Sequence, residues 1–217
     1  MSFMLRFKNI RPLRIIGVSF GMLSGLGGFI HALGEIKQGN VKPESIFIPS
    51  WKEGPIALYY DGDPAITILP NMLYTGLVCL IISVFVFLWS LFFLRNKRAG
   101  LILLFSSFLL LLFGGGVGPP VLGALAGIAG AGIGGRFHWF KKIAPLAVSK
   151  ALGAIWPFVF SMCLFNGIFL VVGHVAAAYY FAPADGSLFS NSFLLALPLL
   201  LISILSGIYY EINSGSE

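Results

Sequence analysis

Long apolar stretches alternate with short clusters of charge along this chain. Uncharged runs cover residues 15–34, 64–94, 99–135, 151–184 and 186–210, each at or above the ~20 residues that a helix needs to cross a bilayer core. The pattern predicts an all-α fold, a polytopic membrane helical bundle forming one integral membrane domain over residues 1–217. Six spans are expected, near 13–33, 71–94, 101–116, 120–135, 157–182 and 193–210, with a polar outer segment at 35–70.

The placement of charge sets the expected topology. Arg6, Lys8, Arg11 and Arg14 precede the first run, Arg95, Lys97 and Arg98 follow the second, and Arg136, Lys141, Lys142 and Lys150 follow the third. The positive-inside rule puts all three clusters in the cytoplasm. Only Lys37, Lys42 and Lys52 then lie outside, and only Glu211 and Glu217 among the acids lie inside. A single crossing by residues 99–135 would divide the fourteen Lys and Arg equally between the two sides. That run must therefore cross an even number of times, and the break "FGGGVGPPVLG" supplies the turn. Gly114, Gly115, Gly116, Gly118, Pro119 and Pro120 oppose a continuous helix there. Arms of ~24 Å in a core of ~30 Å make a short hairpin, whose apex is either a surface turn or a buried re-entrant site. Pro157 suits the first turn of the fifth helix. Phe137, Trp139, Phe140 and Trp156 before it read as an interfacial segment. Both termini are expected in the cytoplasm, in a plasma membrane protein.

Small residues recur at helical spacing. Gly17, Gly21, Gly25 and Gly28, with Ser24, share one stripe of the first span, and Gly123, Gly127, Ala131 and Gly135 form a ridge on the second hairpin arm. Such glycine-zipper spacing lets helix backbones approach in lipid. It equally suits the wall of a permeation path.

Few ionisable groups fall inside the spans, and such groups mark functional sites by default. His31 and Glu35 lie one turn apart on the small-residue face of the first span, and His174 is expected at similar depth on the fifth, with Asn166 on a nearby arc. A meeting of His31, Glu35 and His174 could relay protons, hold a divalent metal such as zinc or iron, or ligate haem. A hydrogen-bonded His31–Glu35 pair at the helix end is the structural alternative. No cofactor is strongly indicated. The outer segment "PIALYYDGDPAITIL" reads as two short strands around an Asp-Gly-Asp-Pro turn, with Asp61 and Asp63 in solvent or contacting a cation. Trp51, Tyr59 and Tyr60 would rest at the membrane surface or cap the bundle.

Composition agrees with the pattern. Hydrophobic residues make up 58% of the 217 and charged residues 10%, with a mean hydropathy of +0.93. The net charge of +6 sits in flanks of apolar spans, where it points to anionic lipids as partners and not to nucleic acid. Cys79 and Cys163 lie within spans, which argues against a structural disulfide. The first apolar run exceeds the core of a cleaved signal sequence. No metalloprotease helix, phosphate loop or nucleophile elbow is present.

The runs "HALGEIKQGN", "PAITILPN" and "GGGVGPP" resemble an uncharacterised family of small prokaryotic multi-pass membrane proteins, through HxxxExxQGN and GGGxGPP patterns within the stretch ending at Gly135. The resemblance implies no activity. It marks His31, Glu35, Gln38 and Asn40 as residues of interest.

Three functions fit these features. The first is permeation or transport of a small solute, ion or proton, with the broken hairpin forming part of the site and a homo-oligomer supplying missing walls. The second is a non-enzymatic accessory or assembly role beside a membrane partner subunit. The third is an intramembrane metal- or haem-binding enzyme.

Overall fold

A computed structural model describes residues 11–135, 137–181 and 187–214. Helix α1 (Pro12–Gln38) has proline in its first turn, where the missing N–H is not needed. A cap segment follows, comprising strand β1 (Phe47–Pro49), the short helix α2 (Pro55–Tyr60) and strand β2 (Pro64–Ile66). Helix α3 (Met72–Phe93) starts where the Asn71 side chain accepts from the Tyr74 N–H, and α4 (Lys97–Leu112) where Asn96 accepts from Arg98 and Ala99. Helix α5 (Gly118–Ala131) again opens on prolines. A 3-10 turn (His138–Lys142) leads to α6 (Leu146–Ile168), which continues through a π-helical turn (Phe169–Gly173) into α7 (His174–Tyr180). Helix α8 (Ser187–Ser214) completes the described chain.

Four of these helical stretches are long and apolar enough to cross a membrane: Pro12–Gln38, Met72–Phe93, Leu146–Tyr180 and Ser187–Ser214. Ile81, Phe158, Phe165 and Leu194 project outward from them, each more than two-thirds exposed. Water would not tolerate such faces, whereas lipid matches them. The protein is mostly helical, and its four apolar helices fit a membrane protein. The hairpin arms α4, of 16 residues, and α5, of 14, are shorter than these four.

Helix α1 is the axis of the bundle, with α3 and α5 packed along it, α4 against α5, and α6 paired with α8. Two close approaches show why small residues are needed. A Cβ on Gly25 would lie 2.7 Å from the Phe87 nitrogen, and one on Gly100 would lie 2.2 Å from the Ala131 nitrogen. The core joins Ile16, Phe20, Leu103, Ala126, Leu200 and Ile208 from four helices.

Three boundaries differ from expectation. The fifth helix begins at Leu146, so Pro157 lies inside it and does not start it. Trp156 is correspondingly a buried helical residue stacked on Phe160 and not part of an interfacial loop. Within the cap, "PIALYY" is helical: Gly54 and Pro55 start a turn whose Ile56 and Tyr60, four residues apart, bury together against Ala178. The strands pair across that helix, with Phe47 opposite Ile66 and Ile48 opposite Ala65.

The hairpin apex is covered by protein. Gly114, Gly115 and Gly116 are buried, the Gly114 N–H donates to the Ile66 carbonyl at 2.8 Å, and the Gly115 N–H donates to the Leu110 carbonyl at 2.8 Å. The Ile68 N–H donates to the Leu112 carbonyl at 3.1 Å. Backbone polar groups freed by the break are thus satisfied by β2 and by the end of α4, which is what an apolar surrounding demands.

Candidate functional site

Five polar side chains converge where the cap segment meets the bundle. His31 and Glu35 lie on the last turns of α1, Ser50 follows β1, Asp63 stands between α2 and β2, and His174 is the first residue after the π-helical turn. The Ser50 Oγ lies 2.8 Å from His31 Nδ1 and donates to Glu35 Oε1 at 3.2 Å. On the other side of its ring, His31 Nε2 is 3.3 Å from Asp63 Oδ2, and His174 Nε2 is 3.7 Å from the same oxygen. His31, Glu35 and His174 are at most 3% exposed, and Ser50 is fully buried.

Backbone geometry holds this cluster together. Asp63 has a φ of 57°, in the left-handed region that Asp tolerates better than most residues, and the turn brings its carboxylate back over the bundle. The hairpin apex forms the floor. Gly116 has a φ of 75°, and a Cβ there would lie 2.2 Å from His31 Nε2. Gly114 has a φ of 93°, with the Glu35 carboxylate 2.4 Å from where its Cβ would be. Both positions require glycine twice over, for conformation and for space.

Burial pushes the Asp63 carboxyl up, but the charge and hydrogen-bonding capacity of His31 and His174 outweigh it, and the group is held below the usual carboxylate range. Asp63 is therefore an anion at neutral pH. Neither ring nitrogen of His174 has a hydrogen-bond partner, and neither does Glu35 Oε2. Buried polar atoms are nearly always paired, so these stand out as groups available to something else.

An apolar cavity of about 290 Å³ opens beneath His31, Asp63 and His174. Its walls include Gly27, Pro119, Leu125, Val171, Phe193 and Leu197. Along α8 they run from Phe189 to Leu200, ~16 Å of helix. Val121 on α5 and Leu197 on α8 are 40% and 49% exposed, so the cavity opens sideways between these helices. The three polar groups sit only at its capped end.

No protein-family model, curated protein or solved structure matches the chain.

Of the residues singled out in the sequence, His31, Glu35 and His174 lie in one cluster, although His31 and Glu35 are bridged by Ser50 and do not bond directly. Gln38 lies beside the cluster and ties down its scaffold, donating to the Pro49 and Ser50 carbonyls at 2.9 Å each. Asn40 pairs with Asn71 at the start of α3. Asn166 donates to the Ser192 carbonyl at 2.9 Å, joining α6 to α8. Neither of these two asparagines reaches the cavity. Asp63, expected in a solvated turn, is instead mostly buried at the centre of the site. Its turn chemistry was visible in Asp-Gly-Asp-Pro, but where the turn folds was not. Ser50 carried no signal in the sequence.

Ser50, His31 and Asp63 share the connectivity of a nucleophile, a base and an orienting acid. The serine, however, is sealed behind His31, and its hydroxyl is engaged with Glu35. The groups that meet the cavity are His31, Asp63 and His174. Among the described residues, no three His, Cys, Asp or Glu side chains are arranged to hold one metal ion.

Proposed function

We propose that this chain is a multi-pass membrane protein that binds a single-chain amphiphile inside its bundle, the chain in the apolar cavity and the head group at Asp63 and His174. The observation that carries this reading is the pairing of an elongated apolar cavity with unpartnered polar atoms at one end. Ligand sites typically occupy ~300–1,000 Å³ and join apolar walls to a few placed polar groups. A cavity of about 290 Å³ suits one slender chain. Its lateral opening between α5 and α8 would admit a ligand from lipid. An ion pathway would need polar walls along its length, and these walls are apolar below the head.

In this reading the chain crosses the membrane six times. The hairpin of α4 and α5 spans between the level of Arg95–Arg98 and the level of the cap, both termini lie in the cytoplasm, and the basic clusters face anionic lipids of the plasma membrane. The cap then closes the site on the outer side. Movement of the amphiphile between lipid and this site makes transport of a lipid-like solute the natural extension of binding.

Dodecanol is a suitable probe. Native mass spectrometry of the full-length protein, released from detergent after incubation with dodecanol, should show a single adduct. Ala196→Phe, which places a ring in the cavity from α8, should remove it. Absence of an adduct on the wild type, or equal retention by the filled variant, would overturn the reading.

A further inference from the structure

We infer that Glu35, Ser50, His31 and Asp63 form a proton wire that exchanges one proton between a sealed carboxyl and the head of the cavity. The first two links are hydrogen bonds of 3.2 Å and 2.8 Å, and the third is an ion-pair contact of 3.3 Å, just beyond the usual N–H···O range. The wire deepens the binding reading by supplying proton exchange at the same site.

The donor inventory gives the chain its property. Serine has one hydroxyl hydrogen, and a neutral imidazole has one N–H and one lone pair. When the Ser50 O–H donates to the Glu35 carboxylate, Ser50 Oγ must accept from the His31 Nδ1–H. His31 Nε2 then presents a lone pair to Asp63, and the contact is satisfied when Asp63 carries a proton and donates it. In the opposite polarity, protonated Glu35 donates to Ser50 Oγ, the Ser50 O–H donates to His31 Nδ1, and the His31 Nε2–H donates to the Asp63 carboxylate. Both polarities hold the same number of protons; the second, with Asp63 as the anion, is the resting one at neutral pH, and the first is its exchange partner.

Interconversion is balanced. The Asp63 proton passes to His31 Nε2, the Nδ1 proton to Ser50 Oγ, and the Ser50 proton to Glu35, each hop breaking one bond to hydrogen and forming one. The net result is a proton moved from Asp63 to Glu35 and a negative charge moved the other way. Nothing is oxidised or reduced.

The surroundings leave this chain as the route. Thr75 and Cys79 from α3 lie near Glu35, but Thr75 is bonded to Thr67 at 2.8 Å, and the Cys79 thiol donates to the Gly28 carbonyl at 3.3 Å. Tyr60 from α2 meets His174 through its ring, centroids 5.3 Å apart. His174 lies beside Asp63 on the cavity side, so Asp63 is the end that a ligand would touch and Glu35 the end that stores the proton.

The test needs no ligand, so its outcome is separate from that of dodecanol binding. Histidine ring-nitrogen NMR on the full-length protein in nanodiscs, with His138→Gln to simplify assignment, follows the His31 titration. Glu35→Gln should move that titration by about one pH unit when Ser50 is present, and should leave it unmoved in a Ser50→Ala background. Through-space electrostatics alone would give the same shift in both backgrounds, and that result would overturn the wire. Ser50→Thr, which keeps the hydroxyl, should restore the coupling. A second measurement stands if Ser50→Ala fails to fold. The protonated-carboxyl infrared band of the wild type should exceed that of the Glu35→Gln/Asp63→Asn double variant by one carboxyl. A difference of zero or two would reject a single shared proton.

Discussion

The two ends of the bundle each bury polar side chains, and they do so differently. At the end opposite the cap, Glu211 on α8 accepts from the Leu13 N–H at 3.1 Å, meeting one of the free N–H groups of the α1 N-terminus. Beside it, Ser149 and Asn213 exchange two hydrogen bonds, Oγ to Oδ1 at 3.1 Å and Nδ2 to the Ser149 carbonyl at 3.0 Å. These bonds tie α8 to α1 and α6, and the cavity beneath His31 and His174 does not reach them. At the capped end, His174 Nδ1 has no hydrogen-bond partner and its Nε2 meets the Asp63 oxygen at 3.7 Å, above an apolar void that both residues line. The lesson is that burial alone does not mark a site. Polar groups whose needs are met by a neighbouring helix end are structural, whereas groups left open above a cavity are available for binding or chemistry.

The largest test of that contrast attacks the floor of the capped end. Gly116→Ala forces a Cβ into a left-handed conformation and against the His31 ring, and should cost about 3 kcal/mol of stability, read by denaturant unfolding in detergent. An alanine at Gly134, whose φ is also positive but which has nothing within 4 Å, should cost about 1 kcal/mol. Equal costs would remove the claim that the apex is shaped around the histidine.

Asp63→Asn comes next. It removes the anion between two histidines and should cost about 1–3 kcal/mol at neutral pH. The pH dependence has a definite sign. Asp63 is held below its ordinary value, so its contribution is complete above about pH 4 and is lost as pH falls through its lower folded value. The variant should lack that acid-side loss. A wild type and variant that weaken in parallel below about pH 4 would show that Asp63 is not the anchored anion described here.

Much of the scaffold was legible from spacing and charge. The apolar runs located the long helices, and the Gly-Pro break located the hairpin, because glycine and proline act locally. Depth arithmetic along helices also put His31 and His174 at a similar level, with Glu35 one turn further on. What escaped notice depends on long-range folding. Asp63 reads as a turn residue from its neighbours, and only the pairing of β1 with β2 across α2 carries it over the bundle. The start of α6 escaped for a related reason: Pro157 resembles a helix start in isolation, but residues 146–156 already form helix packed on α8. Lipid and protein contacts tolerate a proline within such a helix.

The smallest effect belongs to the other end. Glu211→Gln keeps an acceptor for the Leu13 N–H but removes the negative charge at the α1 N-terminus, a loss of about 0.3–1 kcal/mol. It should leave dodecanol binding and the His31 titration unchanged, since Glu211 lines neither the cavity beneath His31 nor the proton wire. Asn213→Ala, which removes both bonds to Ser149, should cost about 1 kcal/mol, and adding Ser149→Ala should cost little more, again without effect on the ligand. A stability change here accompanied by lost dodecanol retention would mean that the ends are coupled through α1 and α8. The distinction between satisfied and open polar groups would then describe one continuous device instead of two regions with separate tasks.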